Sequence, residues 1–173
     1  MSTVRTEFGG PGREAERSPQ EAAVRALLEK GLTVAVAESC TGGLVSARLV
    51  DVPGASKVFL EGQVTYSNEA KIRRLGVSPE TLSRFGAVSA ETAREMAEGL
   101  RRASGADIAV STTGIAGPDG GTAEKPVGLV YVGCATAKGV TAEELRLSGD
   151  RAGIRSRAAD RALHAIRRAA LSE

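Results

Sequence analysis

The stretch "TVAVAESCTGGLVSARLVDVPG", residues 33–54, decides the fold class because it joins a short apolar strand directly to a glycine-led helix. Apart from Glu38, residues 33–39 are small or β-branched, which is typical of a strand buried on both faces. Gly42 and Gly43 then start a helix that has to end before Pro53, since the residue before a proline avoids the α region. A buried strand that runs straight into a helix predicts an α/β fold.

The predicted strands and helices around this stretch follow a change of order along the chain. Early in the chain, strands alternate with helices, and near the end two strands follow each other around Gly139. This order predicts a single three-layer α/β/α domain with a mixed sheet over residues 18–173, preceded by a disordered leader at 1–17. Helices are predicted at 18–31, 43–52, 68–76, 78–86, 89–105 and 150–171, and strands at 33–39, 57–67, 106–114, 128–139 and 140–148.

Local signals support several of these boundaries. Ser18 is a predicted N-cap with Pro19 in the first helical position, and Gly31 is a natural helix stop. Asn68 is a candidate cap of the following short helix, and Gly62 suggests a bend or bulge in the second strand.

Composition excludes several classes of protein. The net charge is +2 without a dense block of Lys and Arg, so no nucleic-acid partner is expected. No signal peptide and no apolar run near the roughly 20 residues of a membrane span is present, so we expect no membrane partner and a cytoplasmic location. The two cysteines are too few for a disulfide scaffold. One histidine and scattered carboxylates argue against a metal-dependent phosphohydrolase, so no metal and no cofactor is expected.

Two turns at predicted strand ends have the composition of ligand sites. They are "ESCTGG" at 38–43 and "TTGIAGPDGG" at 112–121, and ligands of such sheets gather at the carboxyl ends of strands. Neither turn has the Lys-Ser or Lys-Thr of a Walker loop, and neither fits the dinucleotide fingerprint. The second turn opens a loop, 114–128, with five glycines, and loops of that length in a small domain are usually functional.

The first turn holds three candidate nucleophiles in a row, Ser39, Cys40 and Thr41. We expect Cys40 to be a small core residue that faces away from the site. A serine–histidine pair would need His164, the sole histidine, which lies in the middle of the last predicted helix among arginines.

A lysine that is neutral because it is desolvated can serve as the base instead, whereas an arginine stays charged. Of five lysines, Lys71 lies one turn into the helix after a strand, and Lys125 lies in the glycine-rich loop. From the residues alone, Ser39 with Lys71 is one hypothesis, and a surface position for Lys71 is the alternative.

Six ordered blocks of the chain closely resemble the C-terminal domain of the CinA (competence-damage-inducible) family. They are "AESCTGG", "VTYSNEAK", "GAVS", "TGIAGPDGG", "KPVG" and "GDR", and the likeness covers about residues 19–170. Stand-alone members of that family are nicotinamide-nucleotide amidohydrolases, or NMN deamidases. Larger members carry an N-terminal molybdopterin-binding-like domain with pyrophosphatase activity, which we do not expect here and whose metal-dependent chemistry is not carried over.

The resemblance implies hydrolysis of the carboxamide of nicotinamide mononucleotide to nicotinate mononucleotide and ammonia by a Ser-Lys mechanism. It places the nucleophile on Ser39 and the general base on Lys71, with Tyr66 supporting the pair. Phosphate is expected at Arg151 and Arg155, which follow "SGD" on the last helix. The other expected substrate contacts come from the two turns and the start of the third helix, namely Thr41, Gly42, Gly43, Asn68, Thr113, Gly114, Ala116, Gly117 and Asp119.

A nucleotide-binding or regulatory module without deamidase activity is the alternative of a different class. Ser39, Tyr66 and Lys71 are all present, which argues against it. The small apolar composition and the resemblance together predict a homo-oligomer, a dimer or larger.

Overall fold

A five-stranded sheet in the order β2-β1-β3-β4-β5 organises residues 18–173, which the computed structural model describes. The leader predicted at 1–17 lies outside the described residues. The strands are β1 (Val34–Glu38), β2 (Phe59–Val64), β3 (Ile108–Gly114), β4 (Leu129–Thr136) and β5 (Gly139–Arg146). The helices are α1 (Pro19–Lys30), α2 (Leu44–Val50), α3 (Asn68–Leu75), α4 (Pro79–Phe85), α5 (Ala90–Ser104) and α6 (Arg151–Ser172).

The sheet is mixed, as the change from alternation to direct pairing predicts. Strand β1 runs parallel to both β2 and β3, whereas β3–β4 and β4–β5 are antiparallel. The carboxyl ends of β1, β2 and β3 therefore meet at one edge of the sheet, and both candidate turns lie there.

Helices cover both faces of the sheet, which confirms the three-layer architecture. Val34 and Val36 of β1 join the core formed with α1, α2 and α6, while Ala35 and Ala37 face the smaller core that includes Met96 of α5. Successive side chains of a strand point to opposite faces, so one five-residue strand contributes to both cores.

Helix caps follow the sequence at one helix and depart from it at another. Helix α1 has Ser18 as N-cap and ends at Gly31 in the left-handed conformation, as predicted. Helix α3 is capped by Ser67, whose Oγ accepts from the N–H of Ala70, so the prediction of Asn68 as cap is wrong by one residue.

Gly62 is not a bulge. The register irregularity of β2 falls between Phe59 and Glu61, and Gly62 pairs regularly with Val36. A Cβ at position 62 would lie 2.3 Å from Ser46 Oγ, so glycine is needed there for close contact with α2.

Candidate active site

The parallel pairing of β1 and β2 brings Ser39 and Lys71 together. Glu38 ends β1 opposite Val64 at the end of β2, so Ser39 is the first residue beyond the sheet. The chain after β2 turns at Thr65 into α3, whose first turn brings Lys71 back over the strand end. Lys71 Nζ lies 3.1 Å from Ser39 Oγ, the hydrogen-bond distance that the Ser39–Lys71 hypothesis requires.

Lys71 is buried, with 1% of its surface exposed, and the alternative of a surface lysine is therefore wrong. Its ammonium also donates to the backbone carbonyls of Thr65 at 2.8 Å and Tyr66 at 3.1 Å. No ion pair among residues 18–173 involves it. Burial away from water lowers the pKa of Lys71 from its usual value, because it disfavours the charged form.

The Lys71 contacts suit a neutral amine that faces a hydroxyl. A neutral amine has two N–H donors and one lone pair. In the charged form, Nζ donates to Ser39 Oγ and to the carbonyls of Thr65 and Tyr66; in the neutral form, two donors can stay on the carbonyls, and the lone pair then faces the O–H of Ser39. The arrangement can therefore take a proton from Ser39.

The buried side chain of Glu38 accepts hydrogen bonds from the turn after β1 and from the start of α2. This role was not predicted from the sequence. The carboxylate of Glu38 is 0% exposed and accepts from five donors. Oε2 accepts from Thr41 Oγ1 at 2.7 Å and from the N–H groups of Gly43 and Val45 at 2.9 and 3.1 Å. Oε1 accepts from the N–H and Oγ of Ser46 at 2.8 and 2.7 Å. A carboxylate directly before the three hydroxyl and thiol residues is the sequence signal that could have identified it.

Cys40 is a core residue, as predicted. It is 4% exposed and packs in the core beneath α1, α2 and α6. Burial raises the pKa of its thiol to about 11, which keeps it protonated and a poor nucleophile at neutral pH.

Tyr66 has its side chain away from the Ser39–Lys71 contact. The side chain is 61% exposed, and its hydroxyl lies 3.3 Å from a guanidinium nitrogen of Arg151. In this arrangement only the backbone carbonyl of Tyr66 contacts Lys71.

The two arginines predicted to hold phosphate extend from the first turns of α6 to the two candidate turns. Arg151 donates to the carbonyl of Gly117 at 2.7 Å, and Arg155 donates to the carbonyl of Thr41 at 2.7 Å. Each guanidinium has five N–H donors, so each retains donors for an anion.

The other residues predicted to contact the substrate differ in how far they are exposed. The hydroxyls of Thr41 and Thr113 are buried and bonded within the protein, the first to Glu38 and Thr112 and the second to the carbonyl of Ala87. They therefore do not point to a ligand. The side chains of Asn68 and Asp119 are exposed, as is Gly42, whereas Gly43 and Gly114 are half-buried and Ala116 and Gly117 are buried.

The alternative bases are elsewhere in the fold. Lys125 donates to the carbonyls of Phe85 at 2.6 Å and Val88 at 2.7 Å, so it ties the glycine-rich loop to the segment between α4 and α5. His164 is exposed on α6. No group of three or more His, Cys, Asp or Glu side chains within residues 18–173 could hold a metal ion. Over the same residues, no helix is long and apolar enough to cross a membrane.

Comparison with known proteins gives the family. The sequence model of the family described as CinA C-terminal domain matches residues 16–170. A CinA-like protein of Kosmotoga olearia is 58% identical over 156 residues, and the match covers 90% of this chain but 38% of that relative's length.

Solved structures match over nearly their full length. The competence/damage inducible protein CihA of Agrobacterium tumefaciens is 43% identical with a TM-score of 0.80, covering 92% of this chain and 96% of that one. A CinA superfamily protein of Klebsiella pneumoniae is 33% identical with a TM-score of 0.85, covering 90% of this chain and 97% of that one. Together with the mixed sheet and the two strand-end turns, these matches show that the chain belongs to the CinA C-terminal domain family.

Proposed function

We propose that this chain is an amidohydrolase that converts nicotinamide mononucleotide to nicotinate mononucleotide and ammonia through Ser39 and Lys71. One observation carries the chemistry, namely that the buried Lys71 Nζ lies 3.1 Å from Ser39 Oγ without a carboxylate partner among the described residues. The choice of substrate rests on the resemblance of the motifs to those of stand-alone NMN deamidases.

In the first step, Ser39 Oγ attacks the carboxamide carbon while its proton passes to Lys71 Nζ. A tetrahedral oxyanion forms, and each backbone N–H aimed at it contributes roughly 3 kcal/mol. Collapse of this intermediate breaks the C–N bond, and Lys71 returns the proton to the departing ammonia. An acyl-enzyme on Ser39 remains.

In the second step, water hydrolyses this acyl-enzyme. Lys71 is neutral again after ammonia leaves, so it can take a proton from water as water attacks the acyl carbon. Nicotinate mononucleotide leaves, and the proton returns from Lys71 to Ser39 Oγ.

The donors for the oxyanion are limited by contacts within the turn. The N–H of Gly42 donates to the carbonyl of Ser39, and that of Gly43 donates to Glu38. Of the residues 40–43, this leaves the N–H groups of Cys40 and Thr41 for the oxyanion. The residue directly after a nucleophile is the usual donor in strand-to-helix turns.

The phosphate of the substrate fits the two arginines at the start of α6. Their guanidinium groups reach the two turns from the same helix, four residues and thus about one helical turn apart. Each retains N–H donors after its contact with a backbone carbonyl, and paired donors of this kind suit phosphate oxygens.

The homo-oligomer expected from the sequence also stays a prediction. Leu60 and Val64, on the edge strand β2, are 49% and 53% exposed, which supports an apolar contact with another copy.

Ammonia release from nicotinamide mononucleotide tests the proposal. The purified chain should release ammonia and nicotinate mononucleotide in equal amounts, measured by a coupled ammonia assay and by chromatography. Binding of the mononucleotide without either product would contradict the proposal and favour the nucleotide-binding module instead.

A further inference from the structure

Glu38 is a buried carboxylate that the proposed reaction does not use. It is 0% exposed, and no ion pair within residues 18–173 includes it. A buried charge is costly unless hydrogen bonds compensate it. All five contacts of its two oxygens are with N–H or O–H groups that donate to them. The two carboxylate oxygens together supply an acceptor for all five groups.

These donors span the segment that carries the nucleophile. They belong to Thr41, Gly43, Val45 and Ser46, so one side chain gathers the turn and the first residues of α2 around itself. The negative charge also lies at the N-terminal end of α2, where the peptide dipoles favour it.

Ser39 is fixed between this side chain and the sheet. The N–H of Ser39 donates to the carbonyl of Thr112 in β3 at 3.0 Å, and its carbonyl accepts from Gly42 at 3.1 Å. Its Oγ faces Lys71, which belongs to a different helix. The direction of that hydroxyl therefore depends on the shape of the turn, and Glu38 sets this shape.

We propose that Glu38 is a positioning residue that holds the turn 39–43 so that Ser39 Oγ faces Lys71 Nζ. Glu38 contacts neither atom and takes no proton in the reaction. The inference rests on the proposed function for its kinetic consequence, but the geometry of Ser39 can be tested without the substrate.

Glu38→Gln tests this role at nearly constant volume. The amide oxygen can replace one carboxylate oxygen, but the NH₂ group would face N–H donors, either those of Gly43 and Val45 or that of Ser46. A shift of about 1 Å at a reacting atom can cost about 10²-fold in rate. We expect kcat to fall roughly 100-fold and KM to change much less, since Arg151 is bound to Gly117 outside this turn and only Arg155 contacts the turn, through the carbonyl of Thr41.

Glu95→Gln is the matched control. The carboxylate of Glu95, on α5, also accepts from a backbone N–H and a hydroxyl, those of Ser78 and Thr81, and it lies outside the candidate site. We expect this variant to keep kcat within about threefold of the unsubstituted protein.

Labelling of Ser39 by phenylmethanesulfonyl fluoride gives a readout that does not need the substrate. The serine oxygen bonds to sulfur, fluoride leaves, and the serine proton passes to Lys71, so the rate depends on the Ser39–Lys71 geometry. Mass spectrometry should show labelling of Ser39 in the unsubstituted protein and in Glu95→Gln, and labelling at least tenfold slower in Glu38→Gln. A protein that is labelled at Ser39 but releases no ammonia would refute the proposed substrate and leave the test of Glu38 intact.

The proposal is overturned if folded Glu38→Gln keeps both kcat and the labelling rate within threefold, since a purely structural role would lower only the melting temperature. If Glu38→Gln does not fold, Ser46→Ala decides, because it removes one donor to Oε1 and leaves the carboxylate in place. A loss of about fivefold or more in labelling rate supports the positioning role, and an unchanged rate refutes it.

Discussion

The Nζ atoms of Lys71 and Lys125 are held in nearly the same way, yet only that of Lys71 faces a serine hydroxyl. Each Nζ donates to two backbone carbonyls, at 2.8 and 3.1 Å for Lys71 and at 2.6 and 2.7 Å for Lys125. The third contact of Lys71 Nζ is Ser39 Oγ, and no hydroxyl within the described residues contacts Lys125 Nζ. Lys71 is also almost fully buried, whereas Lys125 is half-buried in a loop.

The difference shows what turns a structural lysine into a catalytic candidate. Two carbonyls orient the amine in both places, but only the strand-end position adds a hydroxyl and removes water. The reading of Lys125 as an alternative base loses its support, because its contacts instead fix the glycine-rich loop against the segment before α5.

The largest expected effect is that of Ser39→Ala. The variant removes the nucleophile and leaves Lys71 with its two carbonyl partners, so we expect ammonia release at the background of the assay and no acyl-enzyme. Nicotinamide mononucleotide should still bind, which calorimetry can measure. Ammonia release above about one per cent of the unsubstituted rate would move the nucleophile elsewhere.

Lys71→Arg and Lys125→Arg form a matched pair. Arginine keeps the charge but cannot give up its proton, so we expect Lys71→Arg to lower kcat by roughly 10²–10⁴-fold. Lys125→Arg can still donate to both carbonyls, and we expect kcat within about threefold of the unsubstituted protein. Steady-state ammonia release with both variants checks the pair. Equal losses in the two variants would show that both lysines act only as anchors.

The sequence predicted the fold well because its signals are local. The order of elements, the Ser18 and Gly31 caps and the β4–β5 hairpin all depend on neighbouring residues. The predictions for Gly62 and Asn68 were wrong because Gly62 lies in close contact with Ser46 of the helix packed on β2, and because Ser67 provides the cap of α3.

The candidate site was predicted less completely, since burial and contacts between distant segments cannot be read from spacing. Residues alone left Lys71 as one of two possible bases, and its 1% exposure decides between buried and surface positions. The role of Lys125 was missed because both partners of its Nζ are backbone carbonyls, and Glu38 was missed because three of its five donors are backbone N–H groups. Backbone donors and acceptors have no sequence signature.

The pH dependence of kcat/KM sharpens the contrast between the two lysines. Burial lowers the pKa of Lys71, so the neutral amine becomes available at a pH below the usual lysine value of about 10.4. We expect kcat/KM to rise about tenfold per pH unit on the acid side of that pKa and then to level off at a lower pH than it would with a lysine of ordinary pKa. The kcat/KM of Lys125→Arg should rise over the same pH range. A profile that still rises steeply above about pH 10.4 would mean that Lys71 is not desolvated in the free enzyme.

The smallest expected effect is on the free energy of unfolding, and its sign follows from the lowered pKa of Lys71. Between the lowered pKa of Lys71 in the folded protein and about 10.4, the unfolded chain binds more protons than the folded one. The free energy of unfolding therefore rises with pH in that window, by up to about 1.4 kcal/mol per pH unit from this lysine. Below the window the cost of burying the charged lysine is fully present, and above it this cost is gone.

Lys71→Met isolates this contribution. Methionine fills similar space but cannot titrate, and the carbonyls of Thr65 and Tyr66 lose a donor at every pH, which shifts the whole curve without changing its slope. Denaturant unfolding at steps from pH 7 to 10.5 should thus show a gap between the variant and the unsubstituted protein that changes only inside the window. The lower end of that window should coincide with the pKa from the kinetic limb, because both measurements follow the same proton. Parallel stability curves across the whole range would show that Lys71 keeps its usual pKa in the folded protein, and the base in the proposed mechanism would then have to be another group.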